Sequence, residues 1–243
     1  MRYRLDIEYK GTAYCGWQRQ KNGVSVQELI ENALEKVLSK KTVILGSGRT
    51  DAGVHALGQV AHFNAETHIS PRGIMCGVNS LLPTDISIKK CTVVDNAFHA
   101  QSSAKSKVYA YKFYISDTIC PLKEDFAVRV KPPLNIDLMR EASAFLLGTH
   151  DFKAFSSTGM KPISTIREVL SLEINQNQED IEIKIEGNGF LYNMVRIIAG
   201  TLIEIGKGFK PVSTVSEMLR TNNRRLGGKT SPPKGLVLIG VYY

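Results

Sequence analysis

Strand-like and helix-like segments alternate along this chain, and its strands are apolar on one side only. In residues 3–9 every second residue is apolar, which is typical of a strand with one buried face. The tetrapeptide SVQE, which begins at Ser25, matches a helix-capping box and precedes a helical stripe of apolar residues. One-sided strands are typical of antiparallel sheets, because parallel sheets are usually covered on both faces. The sequence therefore predicts an α+β fold with a mixed, largely antiparallel sheet that has one open face.

Further segments of the chain show helix or strand periodicity. The predicted elements are a short buried strand at 43–45, a strand at 59–64, a helix capped by Asp137, strands at 168–174 and 181–186, a helical apolar face from Leu191 to Ile205, and a last strand at 236–242. The proline-rich stretch at 130–133 is the predicted seam between two halves. We therefore expect an N-terminal half at residues 1–131 and a C-terminal half at residues 132–243.

The chain is basic, and the excess of positive charge is not evenly spread. Its 243 residues carry a formal net charge of +8. Residues 206–235, here called the basic segment, contain seven Lys or Arg residues against the single acid Glu217. Such a concentration suits a polyanion such as RNA or DNA, whereas a charge run taken alone is as well explained by a solvated surface. Because the whole chain is also basic, both interpretations stay open at this point.

Cysteine usage and hydropathy place limits on where the protein works. The four cysteines stand far apart, form no C-x-x-C pair and show no zinc spacing. The first residues contain no apolar run of the signal-peptide type, and no apolar stretch approaches the roughly 20 residues that a membrane span needs. We therefore expect a cytoplasmic protein with reduced thiols and no membrane segment.

The segment GSGRTDAGVHALGQVAHF, residues 46–63, holds a single carboxylate among four glycines. Asp51 in this segment is open to three interpretations: a turn residue bonded to its own backbone, a metal ligand together with His55 and His62, or a glycosidase-like acid. No second acid lies nearby, which disfavours both the metal site and the glycosidase. A lone carboxylate is better suited to act as nucleophile or base on a sugar carbon without activating water.

The part GRTDAGVHALGQVAHF of this segment resembles the catalytic segment of the TruA family of tRNA pseudouridine synthases. Four further segments resemble that family in the same order: FHAQSSAKSKVYAY, GTHDFKAF, GFLYNMVRIIAGTLIEIGKG and PPKGLVLIGVYY. The resemblance extends over essentially the whole chain. It implies the pseudouridine synthase fold, with two similar α+β halves around a shared sheet and a central RNA-binding cleft.

The resemblance also implies a reaction, the isomerisation of uridine to pseudouridine within tRNA. The N1–C1′ bond breaks, the uracil turns in its pocket, and C5 bonds to C1′. Nothing is hydrolysed, so one carboxylate suffices and neither cofactor nor metal is expected. The catalytic aspartate of the family falls on Asp51, which either attacks C1′ or removes a ribose proton. The target base must be flipped out of its stack, and we expect the small residues of the segment to leave room for it.

Further roles follow from the same resemblance. Tyr109 matches an active-site tyrosine that would stack on the flipped uracil and assist proton transfer from C5. Arg196 matches the arginine that pairs with the catalytic aspartate in the family. Arg49 is expected to bind a phosphate or to hold the flipped nucleotide, because a guanidinium fork fits carboxylates and phosphates. Arg224 and Arg225 are expected to contact tRNA for a separate reason, the concentration of positive charge in the basic segment.

Several points stay open from the residues themselves. Tyr109 alternates with Tyr111 and Phe113, so it is equally a core aromatic residue of a strand. A non-catalytic RNA-binding module is the alternative function, and a metal-dependent hydrolase is a second rival. The resemblance implies a homodimer that acts on the anticodon arm, at positions 38 to 40. Gln101 stands where the family commonly has arginine, so one basic RNA contact is expected to be missing.

Overall fold

A computed structural model describes residues 1–21, 23–157 and 164–243 of the chain. Within these ranges the strands are β1 Arg2–Tyr9, β2 Leu45–Gly46, β3 His55–Asn64, β4 Ile86–Val94, β5 Ser106–Ile115, β6 Val128–Val130, β7 Gly148–Asp151, β8 Ile166–Asn177, β9 Asp180–Gly187 and β10 Leu236–Tyr242. The α-helices are α1 Val26–Leu38, α2 Pro71–Asn79, α3 Ile136–Ala144, α4 Met194–Gly206 and α5 Thr214–Thr221. Helices and strands are thus mixed along the chain, as the α+β prediction requires.

The chain divides into two compact units. Unit 1 comprises Met1–Lys105 and Val237–Tyr243, and unit 2 comprises Ser106–Leu236. The boundary expected between residues 131 and 132 falls inside unit 2. The expected N-terminal half at residues 1–131 and C-terminal half at residues 132–243 stay a prediction.

Unit 1 contains a sheet in which β1 is a central strand. β1 pairs antiparallel with β3 and with β4, β2 pairs antiparallel with β3, and β10 pairs parallel with β3. Every second residue of β1 is buried, which confirms the one-sided strand predicted at residues 3–9. The last strand was predicted at the positions where β10 lies, and the structure confirms it.

Helix α1 begins where the capping pattern placed it. The Ser25 hydroxyl accepts a hydrogen bond from the Glu28 N–H at 3.3 Å, which satisfies one of the donors that a helix start leaves unpaired. The buried strand predicted at residues 43–45 is wrong. β2 covers two residues only, and Val43 and Leu45 are exposed on either side of the buried Ile44. A three-residue apolar run is too short to indicate which side chains face the core.

Unit 2 contains a second antiparallel arrangement of strands, in the order β5-β9-β8-β7, with β6 added in parallel to β5. The predicted strands at 168–174 and 181–186 are confirmed as parts of β8 and β9. The apolar face predicted from Leu191 to Ile205 is buried on and before α4, as expected. Asp137 as a cap is wrong, because α3 begins at Ile136. The side chain of Asn135 accepts the N–H groups of Asp137 and Leu138 instead.

These pairings confirm the predicted fold class. The strand pairs are mostly antiparallel, with parallel pairs only at β3/β10 and β5/β6 among those given above. α2, β4, β6, β7 and α5 were not predicted from the sequence. No helix in the described ranges is long and apolar enough to cross a membrane.

Candidate active site

Asp51 lies in unit 1, at the start of a tight turn between β2 and β3. The Val54 N–H donates to the Asp51 carbonyl at 3.1 Å, which closes the turn. Gly53 inside the turn has φ +77°, a conformation that glycine adopts without strain. Its N–H donates to the Tyr14 carbonyl at 3.3 Å. The backbone of the candidate catalytic residue is therefore fixed by main-chain bonds, and its side chain is half-exposed.

Thr50, the residue before Asp51, is anchored on two sides. Its hydroxyl shares a hydrogen bond of 2.7 Å with that of Tyr9, and its carbonyl accepts the Trp17 N–H at 3.1 Å. Burial raises the pKa of Tyr9 to about 12, although its hydrogen bonds to Thr50 and Gln59 act in the opposite direction. The phenol stays protonated at physiological pH, as a tyrosine of ordinary pKa also does, so its hydrogen bond to Thr50 persists.

The loop around Gly16 packs directly on the backbone at Thr50 and Asp51. A Cβ added at Gly16 would lie 2.6 Å from the Thr50 carbonyl oxygen, and its φ of +105° is one that other residues rarely adopt. Only glycine permits this approach without displacing the turn. The loop thus supports the turn that carries Asp51 through backbone contact.

Replacing Gly16 by Ala should therefore destabilise unit 1 and lower turnover. Gly208 is a matched control, because it also has a positive φ of +73° but nothing lies within 4 Å of its added Cβ. We expect Gly208→Ala to lower the free energy of unfolding by about 1 kcal/mol through backbone strain alone. Gly16→Ala adds the steric clash, and the loss should reach about 3 kcal/mol or more. Denaturant unfolding of both variants tests this, and equal losses would contradict it.

The expectation that the small residues of this segment leave room for a nucleotide is wrong at two glycines. A Cβ at Gly46 would lie 2.5 Å from Nε1 of the Trp17 ring. One at Gly58 would lie 2.5 Å from the carbonyl oxygen of Ile239 in β10. At both positions the missing side chain makes space for the protein itself.

Arg49 lies two residues before Asp51 and is exposed. The residues between β2 and Arg49 are held by Gln59, which is fully buried on β3. Gln59 accepts a bond from the Ser47 hydroxyl at 2.7 Å and donates to the Gly48 carbonyl at 3.1 Å. Arg49 is therefore an exposed residue on a fixed backbone, and the support from Gln59 was not predicted.

Tyr109 lies in unit 2, on β5 and opposite Ile185 of β9. Its ring is mostly buried and meets the edge of Phe190, with centroids 5.2 Å apart and planes at 85°. This is a preferred geometry for two aromatic rings. This contact fixes the orientation of the Tyr109 ring. It does so both for a ring that only packs in the core and for one that also stacks on a bound base.

Arg196 lies in the first turn of α4, also in unit 2. Its Nε donates to the Ser231 carbonyl at 2.8 Å, and its Nη1 donates to Oδ1 of Asn193 at 2.7 Å. Asn193 itself has φ +62°, which is uncommon for a residue other than glycine. Burial raises the pKa of the neighbouring Tyr111, and the charge of Arg196 opposes this. The guanidinium is thus held at two atoms, by Asn193 and Ser231, neither of which was predicted.

The two arginines expected to contact tRNA differ in their surroundings. Arg224 is half-buried, which lowers its pKa, and its Nη2 donates to the Thr230 hydroxyl at 3.3 Å. Arg225 is exposed, and its backbone N–H donates to Oδ1 of Asn223 at 3.0 Å. Arg225 is therefore the better placed of the two to meet a ligand.

The residues of the rival metal site do not converge. His55 and His62 lie seven residues apart on β3, which corresponds to roughly 20 Å at the rise of a strand. Each uses Nδ1 to accept a main-chain N–H, from Gly11 at 3.0 Å and from Ala100 at 3.1 Å. Within the described ranges no group of three or more His, Cys, Asp or Glu residues is arranged to hold a metal ion.

Sequence comparison assigns the class of protein. A family model described as tRNA pseudouridine synthase matches residues 7–101 and 142–243. The matched segments include Asp51 and Arg196, whereas Tyr109 falls between them. The chain belongs to this family.

Individual relatives narrow the assignment further. The chain is 44% identical over 237 residues to the tRNA pseudouridine synthase A of Thermoanaerobacter sp. (strain X514), covering 98% of this chain and 97% of the relative. It is 45% identical over 241 residues to the protein of the same name from Ruminiclostridium cellulolyticum, covering 99% and 98%. The solved structure named "Structure of H/ACA RNP bound to a substrate RNA containing 2'-deoxyuridine" matches 83% of this chain and 44% of that chain at 10% identity. Its TM-score of 0.38 is too low to carry a conclusion.

Proposed function

We propose that this protein isomerises uridine to pseudouridine in tRNA. The observation that carries the proposal is the 44–45% identity to relatives named tRNA pseudouridine synthase A over nearly the full length of both chains. The placement of Asp51 supports it, because a single carboxylate stands on a backbone fixed by hydrogen bonds. Such preorganisation is what a reaction on one carbon atom requires.

Asp51 acts on the ribose of the target uridine in this proposal. It either attacks C1′ or removes a ribose proton, and both routes break the N1–C1′ bond. The uracil then turns and C5 bonds to C1′. On the first route this breaks the bond between Asp51 and C1′, and on the second route the removed proton returns to the ribose. C5 loses its proton and N1 gains one, so the product is an isomer of the substrate and no water is consumed. The base reaches the carboxylate after it has been flipped out of its stack.

Three other side chains assist this reaction. The ring of Tyr109, which Phe190 holds in place, stacks on the uracil, and its hydroxyl assists proton transfer from C5. Arg196, held by its bonds to Ser231 and Asn193, supplies the positive charge that keeps the catalytic carboxylate ionised, a role taken from the family resemblance. Arg49 binds a phosphate or the flipped nucleotide.

The finer features of the proposal come from the family resemblance. The substrate site is the anticodon arm at positions 38 to 40, and the working form is a homodimer. The compartment, the cytoplasm, is proposed from the cysteine spacing instead. No cofactor takes part. Each of these is open to direct measurement, by modification mapping, by sedimentation and by cell fractionation.

Conversion of a uridine-containing tRNA transcript by the purified protein tests the proposed function. We expect pseudouridine to form with and without EDTA, since no step uses a metal ion. Loss of activity in EDTA would favour the metal-dependent rival. Binding of the transcript without any conversion would favour a non-catalytic RNA-binding module.

Arg225→Ala should weaken the binding of all tRNAs to a similar extent. Each lost phosphate contact lowers the slope of log affinity against log salt by about one unit. Arg140 is the control, because it is also an exposed arginine but bonds Asp137 and the Ile174 carbonyl. We expect Arg140→Ala to leave affinity and slope unchanged. Filter binding over a salt series measures both, and an unchanged slope for Arg225→Ala would remove this residue from the RNA contact.

A further inference from the structure

Arg19 lies in the loop between β1 and α1 and is held by a buried carboxylate. Its Nη2 is 2.7 Å from Oε2 of Glu31, whose side chain is only 5% exposed, whereas that of Arg19 is 42% exposed. The second oxygen of Glu31 accepts bonds from Nε2 of Gln27 at 2.9 Å and from the Ile44 N–H at 3.0 Å. The carboxylate is thus fixed by three donors, and it fixes the guanidinium in turn.

The backbone of this loop is also anchored, through the open start of α1. The first N–H groups of a helix have no partner within the helix. Here the Val26 N–H donates to the Gly16 carbonyl at 3.2 Å, and the Gln27 N–H donates to the Trp17 carbonyl at 3.0 Å. The Arg19 N–H donates to Oε1 of Gln27 at 3.1 Å. Arg19 is therefore constrained at both its backbone and its guanidinium.

The same loop contacts the turn that carries Asp51. Trp17, two residues before Arg19, donates its N–H to the Thr50 carbonyl, and Gly16 packs on the backbone at Asp51. Residues 10–23 contain three basic residues, Lys10, Arg19 and Lys21, and no acid. A fixed positive charge thus stands on a loop that is rigidly joined to the candidate catalytic turn.

We propose that Arg19 binds a phosphate oxygen of the RNA backbone near the target uridine, with Glu31 as the residue that positions it. Among the described residues, Glu31 is the only side chain that the guanidinium bonds, and it engages Nη2. The 2.7 Å contact needs only one N–H of Nη2, so the guanidinium keeps further N–H groups for a ligand. A guanidinium fork fits phosphate, and a side chain that is already immobilised loses little entropy on binding. This proposal rests on the proposed function, because it takes RNA as the ligand.

The competing explanation is that the ion pair only stabilises the fold. A buried carboxylate needs a partner, and Arg19 supplies one. The two explanations differ in what the pair does to RNA binding. A structural pair changes the unfolding temperature and leaves the salt dependence of affinity unchanged, whereas a phosphate contact changes the salt dependence.

Binding of an unmodified tRNA transcript over a salt series decides between them. We expect Arg19→Ala to weaken binding about tenfold and to lower the salt slope by about one unit. Arg19→Lys keeps the charge and loses the fork, so it should retain the slope with an intermediate affinity. Glu31→Gln should weaken binding less than Arg19→Ala. The double variant Arg19→Ala/Glu31→Gln should bind no more weakly than Arg19→Ala, because Glu31 acts through Arg19.

The double variant also covers a failure of Arg19→Ala to fold, because it removes both charges of the pair together. Arg140→Ala serves as the control for loss of an exposed, ion-paired arginine. If Arg19→Ala, or the double variant in its place, matches wild type in affinity and slope, the proposal is overturned. Conversion of uridine by the wild type is measured on the same preparation. Its failure would overturn the proposed function, while the binding series would still decide the role of Arg19.

Discussion

Asp51→Asn is expected to abolish pseudouridine formation while leaving tRNA affinity within a few-fold of wild type. The substitution keeps size and shape and removes only the negative charge. An amide is a poor nucleophile and a poor base, so single-turnover conversion should fall by about 10,000-fold or more. RNA affinity comes mainly from phosphate contacts with cationic side chains, and the loss of one acid does not weaken these.

The measurement is single-turnover conversion of uridine in a tRNA transcript, with binding assayed on the same preparation. Asp95 supplies a matched control, because it is an exposed aspartate of unit 1 whose side chain accepts the Ala97 N–H of its own turn. Asparagine replaces aspartate well in such turns, so Asp95→Asn should keep full activity. Substantial conversion by Asp51→Asn would mean that Asp51, like Asp95, is only a turn residue, and it would contradict the proposed mechanism.

Arg196→Ala is expected to lower turnover by about 100-fold or more. In the proposal, the guanidinium keeps the catalytic carboxylate charged and aimed, and losing a preorganised group of this kind has an effect of that size. Arg196→Lys keeps the charge but cannot reproduce the two bonds to Ser231 and Asn193. Its turnover should therefore lie between those of wild type and Arg196→Ala.

Stability must be separated from catalysis in this experiment. Arg196 bonds the loop at Ser231 and the residue before α4, so its loss is also expected to lower the unfolding temperature. Activity is therefore compared on preparations shown to be folded by circular dichroism. Arg140→Ala again controls for the loss of a surface arginine in unit 2. A folded Arg196→Ala protein with wild-type turnover would remove this residue from the reaction.

The parts of the fold that the sequence predicted are those with strong local signals. Each of these signals lies within a short stretch of sequence: the alternation in β1, the capping serine of α1 and the apolar face of α4. Failures occurred where the deciding contact is not local or the signal is short. β2 is two residues long, and the cap of α3 depended on whether Asn135 or Asp137 is the last residue outside the helix.

In the candidate site, too, the features with a local signal could be predicted and those that depend on distant residues could not. Asp51 could be singled out from its segment, since that segment resembles a family pattern. Its supports could not, because the Tyr9–Thr50 bond joins residues 41 apart and Arg196 meets Ser231 across 35 residues. Such contacts exist only once the chain has folded. The glycines were misinterpreted for the same reason, because the groups that fill the space at Gly46 and Gly58 come from distant segments.

Mapping of pseudouridine in tRNA from cells that lack this gene tests the proposed function most directly. We predict that pseudouridine disappears from the anticodon arm in those cells and remains elsewhere in the tRNA. It should return when the wild-type gene is restored, and it should stay absent when the restored gene encodes Asp51→Asn. Unchanged anticodon-arm pseudouridine in cells without the gene, or its recovery with Asp51→Asn, would contradict the proposal.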